Sequence, residues 1–275
     1  MEKDIDAFLH YLAEQKGRSQ NTLAAYRNDL GQLFDFIQTE KAKGIVRSTE
    51  GLVKSYVLNL REKAYSAATV ARKVASAKSL FKFMVDSGRL SENPTENLIS
   101  PRVRKQPPKP LSPSEYQRLL AEPTKLSTPE AKRDTVMLEL LHATGLRVSE
   151  LVSLNVKDVD FQHSCVCCSG RRIPFDHRIG QLVADFVEGA RLDLLHDEEE
   201  DALFLNRRGQ RLTRQGFWQI VTNYARKAGS SVKITPHALR HTFAVHKLQT
   251  GADIQSVQQL LGHAYVSSTR IYKQV

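Results

Sequence analysis

The stretch SPRVRKQPPKPLSPSE, residues 100 to 115, constrains this chain more than any other. Prolines at 101, 107, 108, 110 and 113 forbid a continuous helix, because each lacks a backbone donor and crowds the turn before it. Arg102, Arg104, Lys105 and Lys109 add positive charge with no acid among them until the stretch ends. Such a segment reads as an extended basic linker, able to lie along a polyanion. The 275 residues are enough for two domains of ordinary size. The expected division is 1–100, a linker over 101–110, and 111–275.

The first hundred residues read as helices only. In SQNTLAAYRNDLGQLFDFIQTE, Tyr26, Leu30, Leu33, Phe34 and Ile37 share one helical face behind a cap at Ser19 or Asn21. In SAATVARKVASAKSLFKFMVDSG, Val70, Val74, Ala77, Phe81 and Met84 recur at steps of three and four, and Gly88 closes the helix. Further helices are expected around 3–16 and 48–62, completing a small bundle. Opposite the apolar stripe of the second segment lie Thr69, Arg72, Lys73 and Ser76. This reads as a solvated face, and in a basic protein as one suited to phosphate contact.

Beyond the linker the pattern is mixed. SPSEYQRLLAE carries a helix-start signal, and AKRDTVMLELLHATG reads as a buried helix ending at Gly145. VKDVDFQHSCVCCSGRRIPFD alternates and holds Ser-Gly in its middle, as short strands around a turn do. Helical patterns follow across DHRIGQLVADFVEGARL, TRQGFWQIVTNYARKAG, HALRHTFAVHKLQTG and DIQSVQQLLGH, while HDEEED reads as an acidic surface loop. The expected class is mainly α with a small β-sheet.

Lys and Arg number 40 against 30 Asp and Glu, a net charge of +10. That surplus suits a nucleic-acid partner, although a merely soluble basic protein could carry it too. The opening MEKDIDAFLHYL has charge and no apolar run, so a signal peptide is not expected, and no stretch suits a bilayer. Cys165, Cys167 and Cys168 are too clustered for a disulfide framework and lack a second ligand pair for zinc. They read as small residues on a strand in a reducing cytoplasm.

Four short segments carry the chemistry. ATGLRVSEL holds Arg147 and Glu150, PHALRHTFAVH holds His237, Arg240 and His241, QQLLGH holds His263, and STRIY holds Tyr272. Two guanidiniums can hold the non-bridging oxygens of a phosphodiester as it becomes pentacoordinate. His237 and Arg240 are three apart and so share a helical face. A tyrosine hydroxyl titrates near 10 and needs a base in order to attack at neutral pH. No carboxylate or Cys/His cluster suggests a metal. The set fits metal-free transfer of a DNA phosphate to tyrosine.

The run HALRHTFAVHKLQTGADIQSVQQLLGHAYVSSTRIY resembles the HxLRH, LLGH and terminal-tyrosine motifs of tyrosine recombinases in the phage-integrase superfamily, most closely the Xer type. The resemblance implies an N-terminal helical, SAM-like core-binding domain and a mixed α/β catalytic domain clamped around DNA. It implies that Arg147 and Arg240 hold the scissile phosphate, His237 acts as general base, His263 hydrogen-bonds the phosphate, and Tyr272 forms a 3′-phosphotyrosyl link. Glu150 would support neighbouring basic groups. Arg72, Lys73, Arg102, Arg104 and Lys105 are candidates for contact with the DNA backbone. Neither metal nor other cofactor is implied. The partners implied are double-stranded DNA at a specific site and further protomers in a homo- or hetero-tetramer, serving dimer resolution or mobile-element integration.

Two departures from the family pattern stand out. The family places a catalytic lysine at the turn of a β-hairpin, whereas here the hairpin reads CVCCSGRRIPFD and no lysine lies between Lys157 and Lys227. Arg171 and Arg172 are near the expected place. Only Lys273, Gln274 and Val275 follow Tyr272, where Xer-type chains continue into a tail that packs on a neighbour. The competing expectations are a catalytically impaired DNA-binding homologue without its general acid, and a topoisomerase-like relaxase.

Overall fold

The structure is a computed structural model that describes residues 2–43, 49–101, 110–229, 234, 236–263 and 265–274; for Pro236, His237, Ser267, Lys273 and Gln274 it describes only the backbone. The chain divides into two compact units, Met1–Lys105 and Gln106–Val275. Residues 102–109, which include Arg102, Arg104 and Lys105, lie outside the described residues.

The first unit is a bundle of four helices, α1 (Glu2–Glu14), α2 (Gln20–Ala42), α3 (Thr49–Glu62) and α4 (Ala67–Asp86). Ser19 and Ser66 cap α2 and α4, their hydroxyls accepting from the backbone of Thr22 and Thr69. The expected stripes meet in the middle: Leu30, Leu33 and Ile37 from α2 and Val70, Val74, Ala77, Phe81 and Met84 from α4 are all buried.

The face expected to be solvated on α4 is not solvated throughout. Lys73 and Ser76 are buried, because Asp29 of α2 is buried opposite them. Asp29 accepts from the Lys73 ammonium at 3.0 Å, from the Ser76 hydroxyl at 3.1 Å and from Arg72. Lys73 also donates to Gln32 at 2.8 Å. Its ammonium is thus committed to an internal network, which corrects its reading as a backbone-contacting residue. Arg72 keeps half its side chain exposed at the edge of that network.

In the second unit, α5 (Pro113–Thr124) and α6 (Pro129–Thr144) lead to the short α7 (Val148–Ser153). A capping box of Ser112 and Glu115 starts α5. Helix α6 is buried over most of its surface and forms the centre of the unit, with Val136, Met137, Leu138, Leu140 and Leu141 buried and the charged Arg133 and Asp134 buried as a pair. Three antiparallel strands follow in the order β1 (Val159–Asp160), β2 (Cys165–Cys168), β3 (Arg171–Pro174). Cys168 pairs with Arg171 across a two-residue turn, Ser169-Gly170, in which both residues have positive φ, 50° and 71°. That backbone matches the twist of a tight hairpin. The cysteines are free and lie on β2, as the sequence predicts.

The remaining helices are α8 (His177–Glu188), α9 (Ala190–Leu194), α10 (Arg214–Lys227), α11 (Pro236–Gln249), α12 (Ile254–Leu261) and α13 (Ser267–Arg270), with a 3₁₀ turn over Ile271–Gln274. The result is mainly helical with one small sheet, the class expected. Among the described residues no helix is long and apolar enough to cross a membrane.

Candidate active site

Helix α6 stops at Gly145, whose φ of 62° is left-handed and suits glycine. Five residues on, Glu150 in the first turn of α7 folds back, and its carboxylate accepts from the backbone N–H of Arg147 at 2.7 Å and from the Arg147 guanidinium at 3.0 Å. The same carboxylate accepts from Arg171, the first residue of β3, and lies 3.9 Å from an Arg240 nitrogen. One acid therefore gathers three arginines from three parts of the chain. Burial pushes the Glu150 carboxyl up, but the Arg147 N–H and the adjacent guanidiniums outweigh it and hold the group below the usual carboxylate range.

The arginines share a second anchor. Helix α12 ends at Gly262, again left-handed at φ 60°. Its last carbonyls have no partner within the helix and carry the negative end of its dipole. Leu260 accepts from Arg171, Leu261 from Arg240, and Gly262 from Arg147 at 2.9 Å. Three successive carbonyls thus each take one guanidinium. Arg240 also donates to the Gly145 carbonyl at 2.6 Å. Burial, followed by the charge of Arg147, lowers the pKa of Arg240 to about 10, which leaves it charged at neutral pH. Both glycines are needed sterically as well. A Cβ on Gly145 would lie 2.3 Å from the Phe243 ring, and one on Gly262 would lie 2.9 Å from the Arg171 guanidinium carbon.

His263 follows Gly262 directly. Its Nδ1 shares a 2.9 Å hydrogen bond with the buried Thr269 hydroxyl, and its carbonyl accepts from Gln258 at 2.9 Å. Burial and the charges of Arg240 and Arg147 lower its pKa to about 4, so the ring is neutral at pH 7. A Thr269 hydroxyl that donates to Nδ1 leaves the ring proton on Nε2, where it can reach a substrate oxygen.

Tyr272 lies in the terminal 3₁₀ turn with 4% of its surface exposed. Its hydroxyl is 2.8 Å from Nδ1 of His241, and its ring lies beside His263, centroids 6.4 Å apart. Burial raises the phenol above its ordinary pKa, and the charge of Arg240 opposes that rise. The hydroxyl is protonated at rest and needs help to attack.

Of the residues singled out from the sequence, Arg147, Glu150, Arg171, Arg240, His263 and Tyr272 are drawn into one connected cluster. The side chain of His237 lies outside the described residues. Arg172 points away: strand alternation sends it to the opposite face of β3, where it is exposed and pairs with Asp160 at 2.7 Å. It is therefore removed from the candidates near the vacant lysine position. Sequence reading missed Thr269 and the α12 carbonyls. It noted His241 without a role, though its step of four from His237 places both on one face of α11.

A profile of the phage integrase family matches residues 109–275, and one of the phage integrase N-terminal SAM-like domain matches residues 5–88. Tyrosine recombinase XerC of Roseiflexus sp. (strain RS-1) is 44% identical over 282 residues, covering 100% of this chain and 90% of the relative. Tyrosine recombinase XerD of Listeria innocua serovar 6a is 38% identical, covering 98% of this chain and 93% of the relative. Among solved structures, XerA recombinase aligns at 27% identity with a TM-score of 0.55, covering 100% of this chain and 94% of its own. The post-cleavage complex of XerH with palindromic difH substrate aligns at 20% identity with a TM-score of 0.74, covering 98% of this chain and 91% of its own, which shows the shared fold. The chain belongs to the phage integrase family, among its Xer-type tyrosine recombinases.

Proposed function

We propose that Tyr272 is the nucleophile of a site-specific DNA recombinase, and that the arginine cluster beside it holds the phosphodiester it attacks. The observation that carries this reading is a buried tyrosine that feels the charge of Arg240, one of three guanidiniums gathered by one carboxylate and three consecutive carbonyls. In this reading Arg147 and Arg240 hold the non-bridging oxygens, and the Nε2–H of neutral His263 donates to the same phosphate. The family resemblance gives His237 the part of general base. Tyr272 takes the 3′ phosphate and releases a 5′-hydroxyl. The phosphotyrosyl link keeps the energy of the broken bond, so rejoining needs no nucleotide cofactor.

Arg171 occupies the hairpin where the family carries lysine. A guanidinium bound to Glu150 and to the Leu260 carbonyl stabilises charge but does not readily yield a proton to the departing 5′-oxygen. We therefore assign Arg171 an electrostatic role and expect leaving-group protonation to limit the rate. Assembly of four protomers on two duplexes in the cytoplasm, with Arg102, Arg104 and Lys105 on the DNA backbone, completes the proposal. The +10 net charge supports it.

The test is a covalent trap. Duplexes bound by the protein are selected from a random pool, the shared site is rebuilt as a nicked suicide duplex, and the adduct is mapped by peptide sequencing. DNA linked to Tyr272 is expected, and Tyr272→Phe should abolish the adduct with DNA affinity kept. An adduct on another residue, or none at a verified site, refutes the reading.

A further inference from the structure

Among the described side chains, His241 meets the Tyr272 hydroxyl. Its Nδ1 lies 2.8 Å from the Tyr272 oxygen, and the two rings are 5.4 Å apart at 49°. The contact spans 31 positions of sequence and joins α11 to the terminal turn. It is set by helical register: His241 follows Arg240, so the residue that reaches the Gly145 and Leu261 carbonyls fixes the azimuth of the next one. The phenol is buried, which limits the access of solvent as a proton acceptor.

The other described imidazole of the site is poorly placed for the task. His263 spends Nδ1 on Thr269 and lies flank to flank with the Tyr272 ring, 23° from parallel. Among the described residues, the charged and titratable groups near His241 include Arg240 on its own helix, Tyr272 on the terminal turn and His263 after α12.

We propose that His241 is a catalytic residue whose Nδ1 orients the Tyr272 hydroxyl and receives its proton as the oxygen attacks phosphorus. The proposal rests on the reading of Tyr272 as nucleophile and moves to His241 the base role that the family resemblance gives His237. As the bond from the Tyr272 oxygen to phosphorus forms, the bond from phosphorus to the 5′-oxygen breaks. The phenolic proton passes to Nδ1. The 5′-oxygen takes a proton from water, and the imidazolium returns one to the hydroxide left behind, so the ring ends neutral. In rejoining, the steps reverse and His241 gives the proton back to Tyr272.

The experiment uses the full chain and the nicked suicide duplex in single-turnover cleavage from pH 5.5 to 8.5. His241→Ala removes both orientation and proton transfer. His241→Asn keeps an amide near the position of Nδ1 but cannot carry the proton. Both should bind the duplex normally and form the adduct on Tyr272 about a hundredfold more slowly or worse, the usual contribution of a positioned base. The fall in rate at low pH owed to His241 should vanish in both, and added imidazole should speed the Ala variant. If the Ala variant loses DNA binding through misfolding, the Asn variant decides alone. A wild-type rate and pH profile in the Asn variant, or an Ala rate within threefold of wild type, overturns the proposal. An adduct on a residue other than Tyr272 in the wild-type chain overturns the nucleophile assignment instead, so the two failures are distinct.

Discussion

Replacing Glu150 by Gln tests whether one carboxylate organises the cluster. The change is nearly isosteric but not neutral in hydrogen bonding. An amide oxygen can still accept from one guanidinium, but the amide NH₂ must then face a donor that the second carboxylate oxygen now satisfies. Wild-type Glu150 accepts from the Arg147 N–H at 2.7 Å, the Arg147 guanidinium at 3.0 Å and Arg171, with its side chain 8% exposed. Charge-assisted bonds contribute about 1.5–3 kcal/mol each when measured singly. They share one group here and do not add, so the scale for breaking a buried pair, about 3–5 kcal/mol, is the better guide. We take about 3 kcal/mol, the low end, because Arg147 keeps part of its side chain in water. With a urea slope of about 3 kcal/mol/M, that moves the unfolding midpoint of the second unit down by about 1 M. The wild-type contribution is also pH-dependent. The folded carboxyl is depressed, so its stabilisation is present above the unfolded pKa and is lost as pH falls through the folded one. The urea midpoints of wild type and Glu150→Gln should therefore converge in acid. The covalent-adduct rate of the variant at pH 7 should fall with Arg147 and Arg171 unmoored. A midpoint within about 0.2 M of wild type at pH 7, with unchanged cleavage, refutes the reasoning.

Other consequences are open to direct measurement. Asp29→Ala should destabilise the first unit by about 3–5 kcal/mol in urea unfolding, because it strands the buried Lys73, and Lys73→Met added to Asp29→Leu should recover most of that. Gly145→Ala should cost about 2 kcal/mol or more through its positive φ and the Phe243 contact, with Phe243→Leu recovering part of it. A bridging 5′-phosphorothiolate, whose leaving thiolate needs no proton, should be cleaved much faster than ordinary DNA; equal rates would show that a general acid is present. The His263 ring should show no titration by NMR between pH 5.5 and 8. Its lowered pKa means that stability at this site is kept above the unfolded value and lost as pH falls toward about 4.

The parts of this fold legible in the sequence are those written in local chemistry. Ser19, Ser66 and Ser112 mark helix starts with a hydroxyl, and Gly145 marks an end with a conformation that other residues resist. Arg147, Arg240, His263 and Tyr272 stand out because their residue types suit phosphate chemistry at spacings the family shares. What failed was partner choice across the chain. Nothing around Lys73 reveals that Asp29, 44 positions earlier, waits for it. Arg171 and Arg172 look alike in sequence, and only the strand register sends one to Glu150 and the other to Asp160. The Leu260, Leu261 and Gly262 carbonyls were invisible for another reason: every residue has such an oxygen, and no side chain advertises its use.

The anchoring of three guanidiniums on a single acid also fixes an electrical balance. Arg147, Arg171 and Arg240 contribute three positive charges and Glu150 one negative, so 3 − 1 leaves the cluster at +2, with His263 neutral. A resting phosphodiester brings one negative charge and leaves the site one unit in excess. A phosphorane formed by phenolate attack, before its leaving oxygen gains a proton, carries two, equal and opposite to the cluster, while the proton taken up by His241 keeps the site as a whole at one positive charge. The cluster is thus matched in charge to the species at the top of the barrier rather than to the DNA that first enters, the condition under which binding accelerates a reaction instead of merely holding its substrate.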